Sequence, residues 1–177
     1  MDFAGKVAVI TGAASGIGRA VATALAHRGV RALALVDMGE AIEDVAAGVN
    51  ADSKRQVAYP FRGDATDEAF RQSVFDQISE RFGLVSMCVP AAGITRDELA
   101  VRIDRESGKS RIYPIEKFRL VVEVNMIAPV YWALEMIGRI AEDRAARGLK
   151  RWAPAEGMQG AIVFIGSVSS QGNKGQI

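Results

Sequence analysis

A chain of 177 residues is long enough for one domain with a hydrophobic core. Its residues are 49% apolar and 24% charged with a net charge of +1, and this mixture gives no indication of a face for nucleic acid or an anionic membrane. No uninterrupted apolar run reaches the ~18 residues of a membrane span, Met1–Lys6 does not read as a signal peptide, and the single Cys88 excludes an intrachain disulfide and a cysteine zinc cluster; a cytoplasmic protein without a metal site is expected.

In chain order, Lys6–Thr11 reads as a short buried strand, followed by a glycine-rich turn. Ile17, Ala20, Val21, Ala24 and Leu25 then recur at helical spacing, and Gly29 is placed to end that helix. Arg31–Val36 is a second strand closed by Asp37, Glu40–Val49 a helix, and Gln56–Phe61 a third strand running into Gly63–Asp64. Phe70, Val74, Ile78 and Phe82 mark one face of a third helix, and Leu84–Val89 is a fourth strand. The polar stretch Asp104–Arg111 is expected to be an exposed loop or hairpin turning at Ser107–Gly108. A long helix is expected over Ile115–Arg147, with Pro129 kinking it or removing one backbone bond, and Ala161–Ile165 is a fifth strand. Apolar strands alternating with amphipathic helices predict an α/β fold, a doubly wound parallel sheet with its ligand at the carboxyl ends of the strands.

The first turn, Thr11-Gly12-Ala13-Ala14-Ser15-Gly16-Ile17-Gly18, follows a strand and opens a helix. That is where free N–H groups and the positive helix end receive a phosphate. Gly12 takes the chain sharply off the strand, Gly16 admits a pyrophosphate close to the backbone, and Gly18 permits tight packing. Asp37, roughly 20 residues on, can accept bonds from both hydroxyls of an adenine ribose and repels a 2′-phosphate. Neither Ser15 nor Met38 beside it is basic. Cys88 reads as a small core residue and His27 as a surface residue.

These residues make the chain similar to the short-chain dehydrogenase/reductase family. Thr11–Gly18 resembles its Thr-Gly-x3-Gly-x-Gly motif, and Asp64–Ala65 its pair beside the adenine. Pro90-Ala91-Ala92-Gly93 stands where the family has Asn-Asn-Ala-Gly, Asn125 matches its helix asparagine, and Ser167, in Ile165-Gly166-Ser167-Val168-Ser169, its catalytic serine. The resemblance implies one Rossmann-like domain over residues 1–177 with five of seven strands present, NAD as cofactor in preference to NADP, and a homodimer or homotetramer. It also implies hydride transfer between a secondary alcohol or ketone substrate and nicotinamide. Ser167 would hold the substrate oxygen, and Asn125 a water of the proton relay in a locally distorted helix. Thr11, Gly12, Ser15, Gly16, Ile17, Gly18, Asp37, Met38, Asp64, Ala65, Ala91, Ala92 and Gly93 would bind the cofactor.

Two departures stand out. Pro90 and Ala91 lack the amides they replace, which puts stability in question more than chemistry. The family's Tyr-x3-Lys motif is expected about a dozen residues after the serine, beyond Ile177, and Tyr113 and Tyr131 precede Ser167 and are set aside for that role. The expectation is a domain whose carboxyl-terminal part is missing, inactive alone, with an aggregation-prone strand edge. Arg96, Asp97 and Arg102 either border a substrate pocket or are solvated loop charges. The competing readings are a non-catalytic dinucleotide-binding module and an NADPH-dependent 3-oxoacyl reductase, the second disfavoured by Asp37.

Overall fold

The computed structural model describes residues 3–149, 151–152 and 156–167. The Val168–Ser169 end of the serine motif and the segment 172–177 lie outside them. The elements are β1 (Val7–Thr11), α1 (Gly16–His27), β2 (Ala32–Asp37), α2 (Ala41–Ser53), β3 (Ala58–Arg62), α3 (Glu68–Phe82), β4 (Val85–Pro90), β5 (Val101–Ile103), β6 (Ser110–Ile112), α4 (Ile115–Val122), a π-helical turn (Glu123–Ile127), α5 (Ala128–Ala146) and β7 (Ala161–Ile162).

The strand residues carry apolar side chains on both faces, and both faces are covered. Ala8, Ile10, Leu33 and Leu35 pack against Leu25, Ile42, Val45 and Val49 of α1 and α2. Val7, Val9, Ala34 and Val36 alternate to the other face, against Val74, Phe75 and Ile78 of α3 and Trp132 and Met136 of α5. The result is a five-stranded parallel sheet in the order β3-β2-β1-β4-β7. The chain winds outward from β1 to β3, then returns to the other side of β1 with β4. That reversal opens a crevice at the carboxyl ends of β1 and β4.

Three expectations need correction or refinement. The fifth strand is shorter than Ala161–Ile165: only Ala161 and Ile162 are strand, paired with Met87 and Cys88. Val163 N–H still donates to Cys88 O at 3.0 Å, so the next ladder bond would come from the N–H of Pro90, which has none. The long helix is interrupted by five π-helical residues immediately before α5, where Pro129 falls and withholds one backbone N–H from the continuing helix. The Asp104–Arg111 stretch forms most of an antiparallel hairpin, β5 with β6, turning through Gly108 at φ 67°. Asp104 Oδ1 accepts from both Ser107 N–H and Ser107 Oγ, and these bonds lower its pKa.

The helical span Ile115–Ala146 is long and apolar enough by composition to cross a bilayer. Here Trp132, Ala133 and Met136 of that span are buried, with Trp132 and Met136 packed beneath the sheet. Cys88 is fully buried in β4, and burial pushes its thiol up to about 12. His27 is exposed and pairs with Asp52 at 2.7 Å.

Candidate active site

The crevice at the switch point is a cleft of about 540 Å³. It is lined by Gly12, Ser15, Gly16, Ile17 and Gly18 after β1, Asp37 and Met38 after β2, Gly63, Asp64 and Ala65 after β3, and Ala91, Ala92, Gly93 and Ile94 after β4, with Val124 of the π turn. Every residue expected to hold a cofactor lines it except Thr11. Gly63, Ile94 and Val124 were not anticipated. Gly63 and Ile94 each adjoin an expected motif, and Val124 adjoins Asn125.

Thr11 lies beneath the cleft and joins its two walls. Its Oγ1 accepts from Ala92 N–H at 3.1 Å and its carbonyl from Ala91 N–H at 3.2 Å. This clasp is so close that a Cβ on Gly12 (φ 64°) would lie 2.7 Å from the backbone of Ala91 and Ala92. A Cβ on Gly18 would lie 2.3 Å from Gly12 O, so the third glycine closes the turn on the first. Gly16 is different: at φ 52° it has no atom within 4 Å of a Cβ position. It presents open backbone beside the amino end of α1, whose cap Ser15 makes no side-chain capping bond. That open, positively polarised position suits the pyrophosphate of a dinucleotide.

Asp37 is fixed from both sides. Oδ2 accepts from Ala14 N–H at 3.0 Å and Oδ1 from Gly39 N–H at 2.9 Å. Two backbone donors hold the carboxylate in one orientation at the cleft edge, with lone pairs left for ribose hydroxyls. Asp64 Oδ1 accepts from Thr66 N–H and Thr66 Oγ1, both at 2.8 Å, which sets the turn into α3. The floor beside it is held by buried Trp132, whose Nε1 donates to Ala65 O at 2.8 Å.

Asn125 lies in the π turn and spends its amide on the loop after β4, bonding the Ile94 backbone through both Oδ1 and Nδ2. The local distortion expected at Asn125 is therefore present, and its amide braces the segment leaving Gly93. Ser167 is exposed, five residues past the end of β7, and is not among the cleft-lining residues. Pro90 and Ala91 leave the site intact: Pro90 is buried at the end of β4 with its nitrogen toward β7, and Ala91 N–H serves Thr11.

Tyr113, set aside above, is in fact followed four residues later by Lys117, the spacing of Tyr-x3-Lys. Tyr113 Oη donates to Arg96 O at 2.7 Å and Lys117 pairs with Glu98, so this pair fastens the 96–98 segment to α4. No tyrosine is among the cleft-lining residues. Arg96, Asp97 and Arg102 are exposed and do not line the cleft; Arg102 borders a separate groove on the hairpin with Glu98 and Arg111.

Residues 6–177 match the sequence profile described as short chain dehydrogenase. The chain is 30% identical over 177 residues to a 3-oxoacyl-(acyl-carrier-protein) reductase of Escherichia coli, covering 99% of the chain and 61% of that relative. It is 42% identical to D-threitol dehydrogenase of Mycolicibacterium smegmatis over 93 residues, 52% of the chain and 35% of the relative. A short-chain type dehydrogenase/reductase structure from Mycobacterium marinum superposes with a TM-score of 0.65 at 27% identity, over 80% of this chain and 53% of that one. A putative short-chain dehydrogenase from Novosphingobium aromaticivorans superposes with a TM-score of 0.69 at 23% identity, over 85% and 50%, which supports the fold. The chain thus spans about three-fifths of the length of the full-coverage reductase relative.

Proposed function

The chain belongs to the short-chain dehydrogenase family, and from that premise we propose that it serves an NAD-dependent oxidoreductase that interconverts a secondary alcohol and a ketone. One observation carries the reading: a single cleft gathers the glycine turn, Asp37, Asp64 with Ala65, and Ala91 to Gly93. Ser15 to Gly18 hold the pyrophosphate at the amino end of α1. Asp37 takes the adenine ribose hydroxyls, Met38, Asp64 and Ala65 border the adenine, and Ala91 to Gly93 border the nicotinamide ribose. A nicotinamide dinucleotide bound there would supply the hydride chemistry. Ser167 orients the substrate oxygen, and Asn125 keeps Ile94 and the adjoining wall in place.

The preference for NAD rests on Asp37. A carboxylate facing a phosphate dianion at ~4 Å costs about 4 kcal/mol per charge pair at an effective dielectric near 20. The exposed apolar side chains of α4 and α5, among them Phe118, Leu134 and Ile137, support self-association of the protein. A 3-oxoacyl substrate is the second reading, favoured by the name of a relative that matches along 99% of the chain.

The test is equilibrium titration of the full-length protein with NAD and NADP, together with its turnover on secondary alcohols, ketones and 3-oxoacyl thioesters. Tighter NAD binding, narrowed by Asp37→Ser, is expected. Ser167→Ala should lower turnover strongly and leave NAD affinity nearly unchanged. Equal or tighter NADP binding defeats the cofactor assignment. Full turnover in Ser167→Ala defeats the assignment of Ser167, and dinucleotide binding with no turnover on any substrate returns the non-catalytic binding module.

A further inference from the structure

If Asp37 faces the adenine ribose, one nearby cation has no role in that reading. Arg62 ends β3 in register with Asp37 at the end of β2. Strand alternation directs both side chains to the face of the sheet where Leu33, Leu35 and Ala58 pack. The Arg62 guanidinium is held along the loop that follows Asp37. Its Nη2 pairs with Glu40 Oε1 at 2.9 Å and its Nε donates to Met38 O at 3.4 Å. Met38 lines the cleft, and Gly39 N–H bonds Asp37 Oδ1. Arg62 is not itself among the cleft-lining residues, but its guanidinium is held against the loop that follows Asp37, with a carboxylate keeping it there.

We propose that Arg62 is a latent phosphate-binding residue at this edge, held back by Glu40, so that the Glu40–Arg62 pair acts with Asp37 in discriminating a ribose 2′-hydroxyl from a 2′-phosphate. The side chains of Arg62 and Glu40 are 52% and 82% exposed. An ion pair so exposed is weak and screened. A phosphate dianion offers the guanidinium fork two parallel charge-assisted bonds and outcompetes a single carboxylate contact. Two barriers therefore stand against a 2′-phosphate: the charge of Asp37, and the occupation of Arg62 by Glu40. Removing Asp37 alone leaves the cation paired, and removing Glu40 alone leaves the repelling carboxylate. Removing both should yield more than the two separate gains combined, and the excess should depend on Arg62.

This inference rests on the reading of Asp37, and the experiment separates the two. NAD and NADP are titrated by equilibrium binding, without need of turnover, against the protein, D37S, E40Q and D37S/E40Q, each with and without R62A. E40Q should tighten NADP by roughly 5-fold, the size of one exposed charge contact, and leave NAD within about 2-fold. D37S/E40Q should exceed the product of the single gains, and R62A should remove the excess. A merely structural role for the pair moves both dinucleotides together. The proposal is overturned if E40Q shifts NAD and NADP alike, or if R62A leaves the NADP affinity of D37S/E40Q unchanged. R62Q, which keeps a donor for Met38 O without the charge, replaces R62A if that variant fails to fold. Equal NAD and NADP affinity in the unsubstituted protein and in D37S sinks the reading of Asp37 and leaves the R62A comparison to decide this one.

Discussion

Asn125 closes both atoms of its amide on the backbone of one residue: Oδ1 accepts from Ile94 N–H at 2.8 Å and Nδ2 donates to Ile94 O at 2.8 Å. A Cβ on Gly93 would lie 3.4 Å from the same Oδ1, so the amide also packs against the end of the 91–93 wall. The π turn places Asn125 on this contact, and the contact ties α4 and α5 to the cleft. Two hydrogen bonds at a partly exposed site contribute about 1–3 kcal/mol together. Asn125→Ala should lower stability by that amount in urea unfolding and speed hydrogen exchange at the Ile94 amide. Unchanged exchange at Ile94 would show that the loop holds its place without the bracket.

The three glycines of the first turn should separate into two kinds. At Gly12 a methyl group meets backbone at 2.7 Å and φ is positive, so Gly12→Ala strains the fold itself, by about 2–4 kcal/mol. At Gly16 the methyl group meets nothing, and the cost is the left-handed backbone alone, about 1–2 kcal/mol. Gly16→Ala should therefore remain folded while dinucleotide affinity falls, because the added group occupies the space a pyrophosphate needs. Paired unfolding and titration curves check this; equal loss of stability in the two variants contradicts it.

Much of this site was legible because its residues carry local signatures: a strand, a glycine turn with helix spacing behind it, and a carboxylate closing the next strand. Parallel order followed from apolar strands alternating with amphipathic helices. What was not legible depended on partners distant in sequence. The length of β7 is set by Pro90, some seventy residues earlier, which withholds the N–H that Val163 O would take next. Tyr113 and Lys117 share a catalytic spacing, yet their partners Arg96 and Glu98 give them an anchoring task. The bonds of the Asn125 amide to Ile94 join residues far apart in sequence and carry no local signature. Arg62 belonged to no motif and gained meaning only when β3 was placed beside β2.

Cys88 gives the stability a defined alkaline limb. Burial raises its thiol to about 12 from an ordinary value of 9.0. Below about pH 9 both the folded and unfolded chains keep the proton, and the group adds no pH dependence. Between about 9 and 12 the unfolded chain ionises and the folded chain does not, so unfolding is favoured by roughly 1.4 kcal/mol per pH unit. Stability should fall through that window as pH rises, and Cys88→Ala should flatten this contribution. At neutral pH the native thiol should resist iodoacetamide and react promptly in urea. Rapid native alkylation would contradict the burial.

Trp132 connects the core to the Ala65 wall of the cleft, the wall proposed to border the adenine, and carries the last prediction. Its ring is fully buried, 5.7 Å from the ring of Phe75, and its indole N–H donates to Ala65 O at 2.8 Å. Ala65 lines the cleft beside Asp64. Trp132→Phe keeps an aromatic ring but removes the donor and leaves space, so the Ala65 carbonyl loses a buried partner. An unmet buried acceptor costs about 1–3 kcal/mol, and the lost volume adds to it. The turn Asp64–Thr66 then keeps the bonds from Thr66 and Asp67 to Asp64 but has lost its tie to α5. Dinucleotide affinity should fall along with stability, and 5′-AMP, which probes the adenine end alone, should lose affinity by a similar factor. Nicotinamide mononucleotide, which lacks the adenosine half, should bind the variant as it binds the unsubstituted protein. Loss of affinity for the mononucleotide equal to that for 5′-AMP would mean that Trp132 supports the whole sheet and has no particular hold on the adenine end.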